Sequence, residues 1–92
     1  MANPRYTYFN VNTSGTTTIL KNASGSTLHS ITINAAGASG IAVYDSATAG
    51  KPLIATISSG APAGSTLLYD VQLSTGLTVV VGGNQDITLS VG

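Results

Sequence analysis

The chain has 92 residues, no Cys and a formal net charge of zero, and charged residues make up only 7% of it, against about 25% in an ordinary soluble domain. Three cations cannot build the basic stripe that a phosphate backbone or an anionic membrane surface demands, and no apolar run approaches the roughly 20 residues of a membrane span. What remains is one small domain with a modest core, no disulfide reinforcement and little charge to hold copies apart, a composition that suits a protein whose working state is an assembly.

Met1 to Pro4 reads as a tail, and the N-terminus lacks the apolar central region of a secretory signal, so no export by that route is expected. Residues 5–11 gather Tyr6, Tyr8 and Phe9, most of the aromatic content. Tyr6 and Tyr8 share a strand face. The segment reads either as an edge strand that caps the core or as an arm that docks on a neighbouring subunit. Aromatics are favoured at interface cores, so Tyr6, Tyr8 and Phe9 are the candidate interface residues. Residues 1–14 are accordingly set apart as an arm or edge strand, and residues 15–92 form the main domain.

Strand-like runs then recur about every 8 to 12 residues, the spacing of a sandwich or barrel. Residues 16–21 are rich in β-branched side chains. Residues 27–34 place His29, Ile31 and Ile33 on one face and Leu28, Ser30, Thr32 and Asn34 on the other. Residues 41–45 and 53–58 follow, with Pro52 at a strand start, where its missing donor does least harm. The C-terminal part alternates strictly: Leu67, Tyr69, Val71 and Leu73; then Leu77, Val79 and Val81; then Ile87, Leu89 and Val91. Successive strand side chains point opposite ways, so these sets predict the inner phase. Thr78 falls on the opposite, solvent-facing phase. The breaks at residues 74–76 and 82–85 have hairpin-turn chemistry, and the three runs read together as a β-meander. No segment carries helical periodicity and no linker divides the chain.

Residues that could carry chemistry are few. His29, in phase with Ile31 and Ile33, reads as a core or edge histidine. A triad with Ser30 and Asp45 has no spacing to support it, and Gly37-Ala38-Ser39-Gly40 lacks the spacing and helix of a nucleophile elbow. Asp45, Asp70 and Asp86 read as turn or solvated residues. Gly50-Lys51 lacks the first Gly and the Ser or Thr of a phosphate loop. Metal sites need converging His, Cys or carboxylate ligands, and no spacing supplies them. No catalytic, metal or cofactor-binding residue is assigned, and no enzymatic activity is expected.

A longer pattern is carried by Tyr44-Asp45, Gly50-Lys51, Leu53 to Ile57, Tyr69-Asp70-Val71, Ser74 to Val80 and Asp86-Ile87-Thr88-Leu89. Upstream, Gly15 to Thr18 and Leu28 to Asn34 fit it too. In this order of residues the chain resembles small tailed-bacteriophage virion proteins, over most of its length from about Gly15 onward. The resemblance implies a capsid decoration (cement) protein or a fibre-associated subunit. Its expected partner is the major capsid protein of an assembled head shell, and its expected place is the capsid surface of a virion assembled in the host cytoplasm. A homo-oligomer, a trimer, is expected, with neither nucleic acid nor membrane as partner. A head- or tail-fibre subunit is the alternative within this class, and a carbohydrate-binding module is the alternative from another. The fold expected is all-β: an antiparallel β-sandwich of about eight short strands, with a jelly roll as one possible arrangement.

Overall fold

The computed structural model describes residues 6–92 apart from residues 36, 38, 51, 59–61 and 84. Its strands are β1 (Thr7–Val11), β2 (Gly15–Leu20), β3 (Thr27–Ala35), β4 (Ile41–Tyr44), β5 (Leu53–Ile57), β6 (Thr66–Gln72), β7 (Leu77–Val81) and β8 (Asp86–Val91). Among the described residues there is no helix.

β1 pairs with β8, β2 with β7, β3 with β6 and β4 with β5, always antiparallel. This is one long ribbon doubled back between β4 and β5. Two further ladders, β3 with β8 and β4 with β7, roll the ribbon up. Two four-stranded sheets result, ordered β1-β8-β3-β6 and β2-β7-β4-β5. That order makes the sandwich a jelly roll, the arrangement of eight strands in two Greek keys.

Only the β4–β5 connection joins neighbours in one sheet; every other connection crosses the sandwich. The C-terminal meander is therefore corrected. β6 and β8 lie in the first sheet and β7 in the second, so the β6–β7 and β7–β8 connections cross between the sheets and are not hairpins. Alternation specifies which side chains face inward, but a hairpin and an arch leave the same alternation in the strands they join.

The core forms where the inner phases meet. Leu28, Ile31, Ile33, Ile87, Leu89 and Val91 from the first sheet and Ile41, Val43, Leu77, Val79 and Val81 from the second are at most 5% exposed. Burial of each such side chain contributes about 1.5–3 kcal/mol. The half-buried apolar residues that pack against this core are Phe9, Ile19, Leu20, Ile54, Leu67, Tyr69 and Val71. All of them belong to β1, β2, β5 or β6, the four edge strands. The sandwich is thus sealed at its centre and less completely along its two open sides.

One face assignment and one expected exposure differ from the alternation. Between Leu28 and Ser30 the register of β3 shifts against both of its neighbours. This bulge turns Leu28 inward with Ile31 and Ile33 and leaves His29 half-exposed on the outer side. A single extra residue reverses the phase of everything before it. Thr78 does lie on the outer phase of β7, yet it is fully buried. Residues that follow β4 fold back across that face: the Thr78 hydroxyl donates to the Ser46 carbonyl at 2.8 Å, and the Thr18 hydroxyl donates to the Ala47 carbonyl at 3.2 Å.

Candidate interaction surface

Cross-strand pairing arranges the outer face of the β1-β8-β3-β6 sheet in rows. Tyr8 lies opposite Ser90, Ser90 opposite Ser30, and Ser30 opposite Leu68. The next row runs Asn10, Thr88, Thr32, Thr66. In the first row Tyr8 is 75% and Leu68 68% exposed, so two large side chains flank a floor of two serines. Tyr8 and Leu68 stand at the two ends of this row with hydroxyls between them, so the face is mixed, with large apolar groups at its edges and polar groups across its middle.

Beyond Tyr8, Tyr6 lies over the bulge of β3. Its ring stacks on the His29 ring, with centroids 4.3 Å apart and an interplanar angle of 18°. His29 Nδ1–H donates to Asp70 Oδ1 at 2.5 Å. Asp70 sits in the left-handed region at φ +49°, a conformation that Asp tolerates better than most residues. It lies where β6 takes three steps, Val71 to Leu68, against two steps of β3, Leu28 to Ser30. The Tyr6–His29–Asp70 chain therefore ties the residue before β1 to the far edge of the sheet.

At the opposite end of the face, Asn10 and Asn34 donate their amides to Asp86 Oδ1 at 2.6 and 3.1 Å. Asn34 also donates to the Thr88 hydroxyl at 2.9 Å. The Asn10 amide, and after it the Asn34 amide, holds the Asp86 carboxyl below its ordinary value. This network spends its donors within the sheet.

Asp45 belongs to the framework. It is 8% exposed, and its carboxylate accepts from the backbone N–H groups of Ser74 (3.0 Å), Thr75 (2.9 Å) and Gly76 (3.2 Å). Burial alone would raise its carboxyl, but these bonds, led by Thr75, outweigh burial and lower it. Successive N–H groups aimed at one point make an anion-binding nest, here filled by the chain's own carboxylate. The arch before β7 is thereby pinned to the end of β4.

The candidate residues separate accordingly. Tyr6 is 43% exposed and faces outward with Tyr8. Phe9 lies on the inner phase, half-buried against the core. His29 is bonded to Asp70 and Asp45 to the nest, so they serve separate networks. Lys51 lies outside the described residues. Among the described residues no pocket opens, and no group of three or more His, Cys, Asp or Glu side chains gathers where a metal ion could sit. The arrangement offers a contact surface: two tyrosines and a leucine over hydroxyls and amides, with His29 and Asp70 as neighbouring ionisable groups. Leu68 was legible as a Leu on the polar phase of β6, next to Leu67. Nothing in the sequence signals the His29–Asp70 pairing, because it depends on a bulge.

No family model matches the chain, and neither a curated protein nor a solved structure matches it.

Proposed function

We propose that this chain is a non-enzymatic virion protein that decorates an assembled tailed-phage head shell, docking on the major capsid protein through the outer face of the β1-β8-β3-β6 sheet. The observation that carries the reading is the asymmetry of the two outer faces. The residues after β4 fold over part of the second sheet and bury Thr78, leaving Leu53 as its large exposed apolar side chain among the described residues, whereas the first sheet presents Tyr8 and Leu68, with Tyr6 just before β1. Tyr6 and Tyr8 are the anchors; Phe9 supports them from inside the sandwich. With three cations and three anions in the chain, steering and ion pairing are weak, and contact energy comes from buried aromatic area and hydrogen bonds. Several copies held together bind a repeating shell more tightly than one, by effective concentration. Binding the assembled shell and not its free subunits reinforces the assembly.

Sedimentation of shells with the protein tests this reading. Retention is expected to change little up to about 0.5 M salt, where the Debye length is well below 10 Å. Replacing Tyr6 and Tyr8 together by Ser is expected to release the protein while it stays folded, with a small fall in unfolding midpoint from the lost Tyr6–His29 stack. Steep loss with salt, or full retention of the double variant, overturns the reading. Tyr8 over a row of hydroxyls also favours a second reading, a neutral-glycan platform. Retention of the free protein on a neutral polysaccharide matrix, lost in Tyr8→Ser, would support that reading instead.

A further inference from the structure

The four edge strands of the sandwich are not alike. A sheet edge exposes a row of unpaired N–H and C=O groups, and native proteins blunt such edges with bulges, Pro or charge. β2 passes from Thr18 to Leu20 while its partner β7 passes from Thr78 to Leu77, so Ile19 is an extra residue. β5 passes from Ala55 to Leu53 while β4 passes from Val43 to Tyr44, so Ile54 is extra. β6 gains a residue at Tyr69-Asp70, with Asp70 in the left-handed region. In each case the edge strand itself carries the insertion, which kinks it and spoils it as a template. β1 is the exception. It runs residue for residue along β8, from Thr7 opposite Val91 to Val11 opposite Ile87, and contains neither Pro nor Lys.

We infer that the edge of β1, unpaired among the described residues, pairs antiparallel with β1 of a second copy about a two-fold axis, joining two four-stranded sheets into one of eight strands. Three observations select a second copy as the occupant. First, an isologous contact needs only one good edge, because the same edge serves both subunits. A closed three-fold ring would need β1 to meet a different edge, and the other three are bulged. Second, residues 7–20, which supply both strands on this side of the sandwich, contain no charged residue, so two copies meet without the like-charge opposition that destabilises cross-strand pairs. Third, Phe9, Ile19 and Leu20 lie half-buried along this open side, and apposition of a second copy removes them further from water.

Pairing all five residues of β1 sets the register. Phe9 lies on the axis opposite its own copy, Tyr8 opposite Asn10 of the second copy, and Thr7 opposite Val11. The outer face then brings both Tyr8 side chains and both Tyr6 side chains to the middle of the continuous sheet. The pairing does not rest on the decoration reading, since it concerns the free protein.

Sedimentation equilibrium of the free protein over a concentration series is expected to reach twice the 9.1 kDa of one chain. The chain has no Cys, so introduced thiols report register without interference. Tyr8→Cys and Asn10→Cys change exposed side chains. Strands so paired bring Cα atoms to about 4.5–5.5 Å, within disulfide range. On oxidation, a mixture of the two variants is expected to form a mixed disulfide dimer, while each variant alone and Leu68→Cys on the β6 edge stay uncrosslinked. The double change of Tyr8 and Asn10 to Lys sets like charges opposite each other. It is expected to weaken the dimer by about tenfold or more, roughly 1.4 kcal/mol, while the monomer still unfolds cooperatively, at a midpoint that shifts with the loss of the Asn10–Asp86 bond. A monomer at all concentrations, a trimer, crosslinking through Leu68→Cys, or a dimer indifferent to the two lysines overturns the inference.

Discussion

Removal of the Asp45 carboxylate is expected to cost more stability than any other single loss of charge in the described chain. The carboxylate is the shared acceptor for three backbone N–H groups, at Ser74, Thr75 and Gly76. Hydrogen bonds to a charged group are worth about 1.5–3 kcal/mol each, and a buried donor left unpaired costs about 1–3 kcal/mol. Ser74 and Thr75 are exposed and water can replace their partner, whereas Gly76 is buried. Asp45→Ala should therefore lose roughly 3–4 kcal/mol in all, from a total of about 5–14 kcal/mol for a domain of this size. At about 4–8 °C per kcal/mol, the midpoint falls by roughly 12–30 °C. Asp45→Asn keeps one acceptor oxygen and falls between.

The same site sets an acid limb. Its carboxyl is held below the ordinary value of 3.8 in the folded state. The unfolded chain thus binds the proton more readily, and the stabilisation is fully present above that value and lost as pH falls through the folded one. Thermal unfolding followed by circular dichroism, from neutral pH down to about pH 2, reads both effects. Asp45→Asn should flatten the acid limb, with the remaining slope belonging to Asp86, which is lowered as well. A midpoint for Asp45→Ala within about 4 °C of wild type, the shift of a single kcal/mol, or identical acid limbs for wild type and Asp45→Asn, would refute the nest as a stabilising element.

Gly76→Ala should be severely destabilised, because an added Cβ would lie 2.7 Å from the Ser46 carbonyl carbon and 2.8 Å from the Leu20 carbonyl oxygen; a wild-type midpoint in thermal unfolding would contradict this packing. Thr78→Asp should fail to fold, since it puts a carboxylate in a fully buried position, and Thr78→Val should lose about 1–2 kcal/mol by leaving the Ser46 carbonyl without its donor. Leu89→Ala, at a fully buried site, should lose about 2–5 kcal/mol in denaturant titration. Leu68→Ala on the outer face should stay within about 0.5 kcal/mol of wild type, and comparable losses at both leucines would invalidate the assignment of faces.

The inner phase was legible because it rests on a local regularity. Leu77, Val79, Val81, Ile87, Leu89 and Val91 are buried as their alternation dictates. Partnership was not legible. Residues 74–76 have turn chemistry whether the chain turns within a sheet or crosses to the other one, and only the long-range ladders of β3 with β8 and β4 with β7 decide which. His29 and Thr78 show the two ways a phase argument fails. At His29 a bulge inserts one residue, and no Gly or Pro marks the place. At Thr78 the phase is read correctly, but a loop covers the outer face, and solvent exposure depends on what lies above a residue as well as on where it points. The outward pair of tyrosines was legible because Tyr6 and Tyr8 are two residues apart. The inward position of Phe9 follows from the same period of two, which separates it from the tyrosines as a surface anchor.

The edges connect this fold to its association. A jelly roll leaves four strand edges uncovered, and a chain with so little charge cannot blunt them with Lys in the usual way. Three edges are instead kinked by an inserted residue, although Ile19 and Ile54 still lie half-buried against the core. The insertions therefore keep their apolar side chains in the packing while they break the hydrogen-bonding pattern that a foreign strand would read. β1 keeps that pattern whole, and its outward side chains, Tyr8 and Asn10, lie next to the face that Tyr6 extends. Tyr8 serves both edge and face, so the two are separated by substitution at Asn10 and at Tyr6. Asn10→Lys adds charge along the edge and should lower the mass of the free protein, whereas removal of the Tyr6 ring should change what the face retains. A variant such as Tyr6→Ser, which lies outside the paired residues of β1, should affect retention alone.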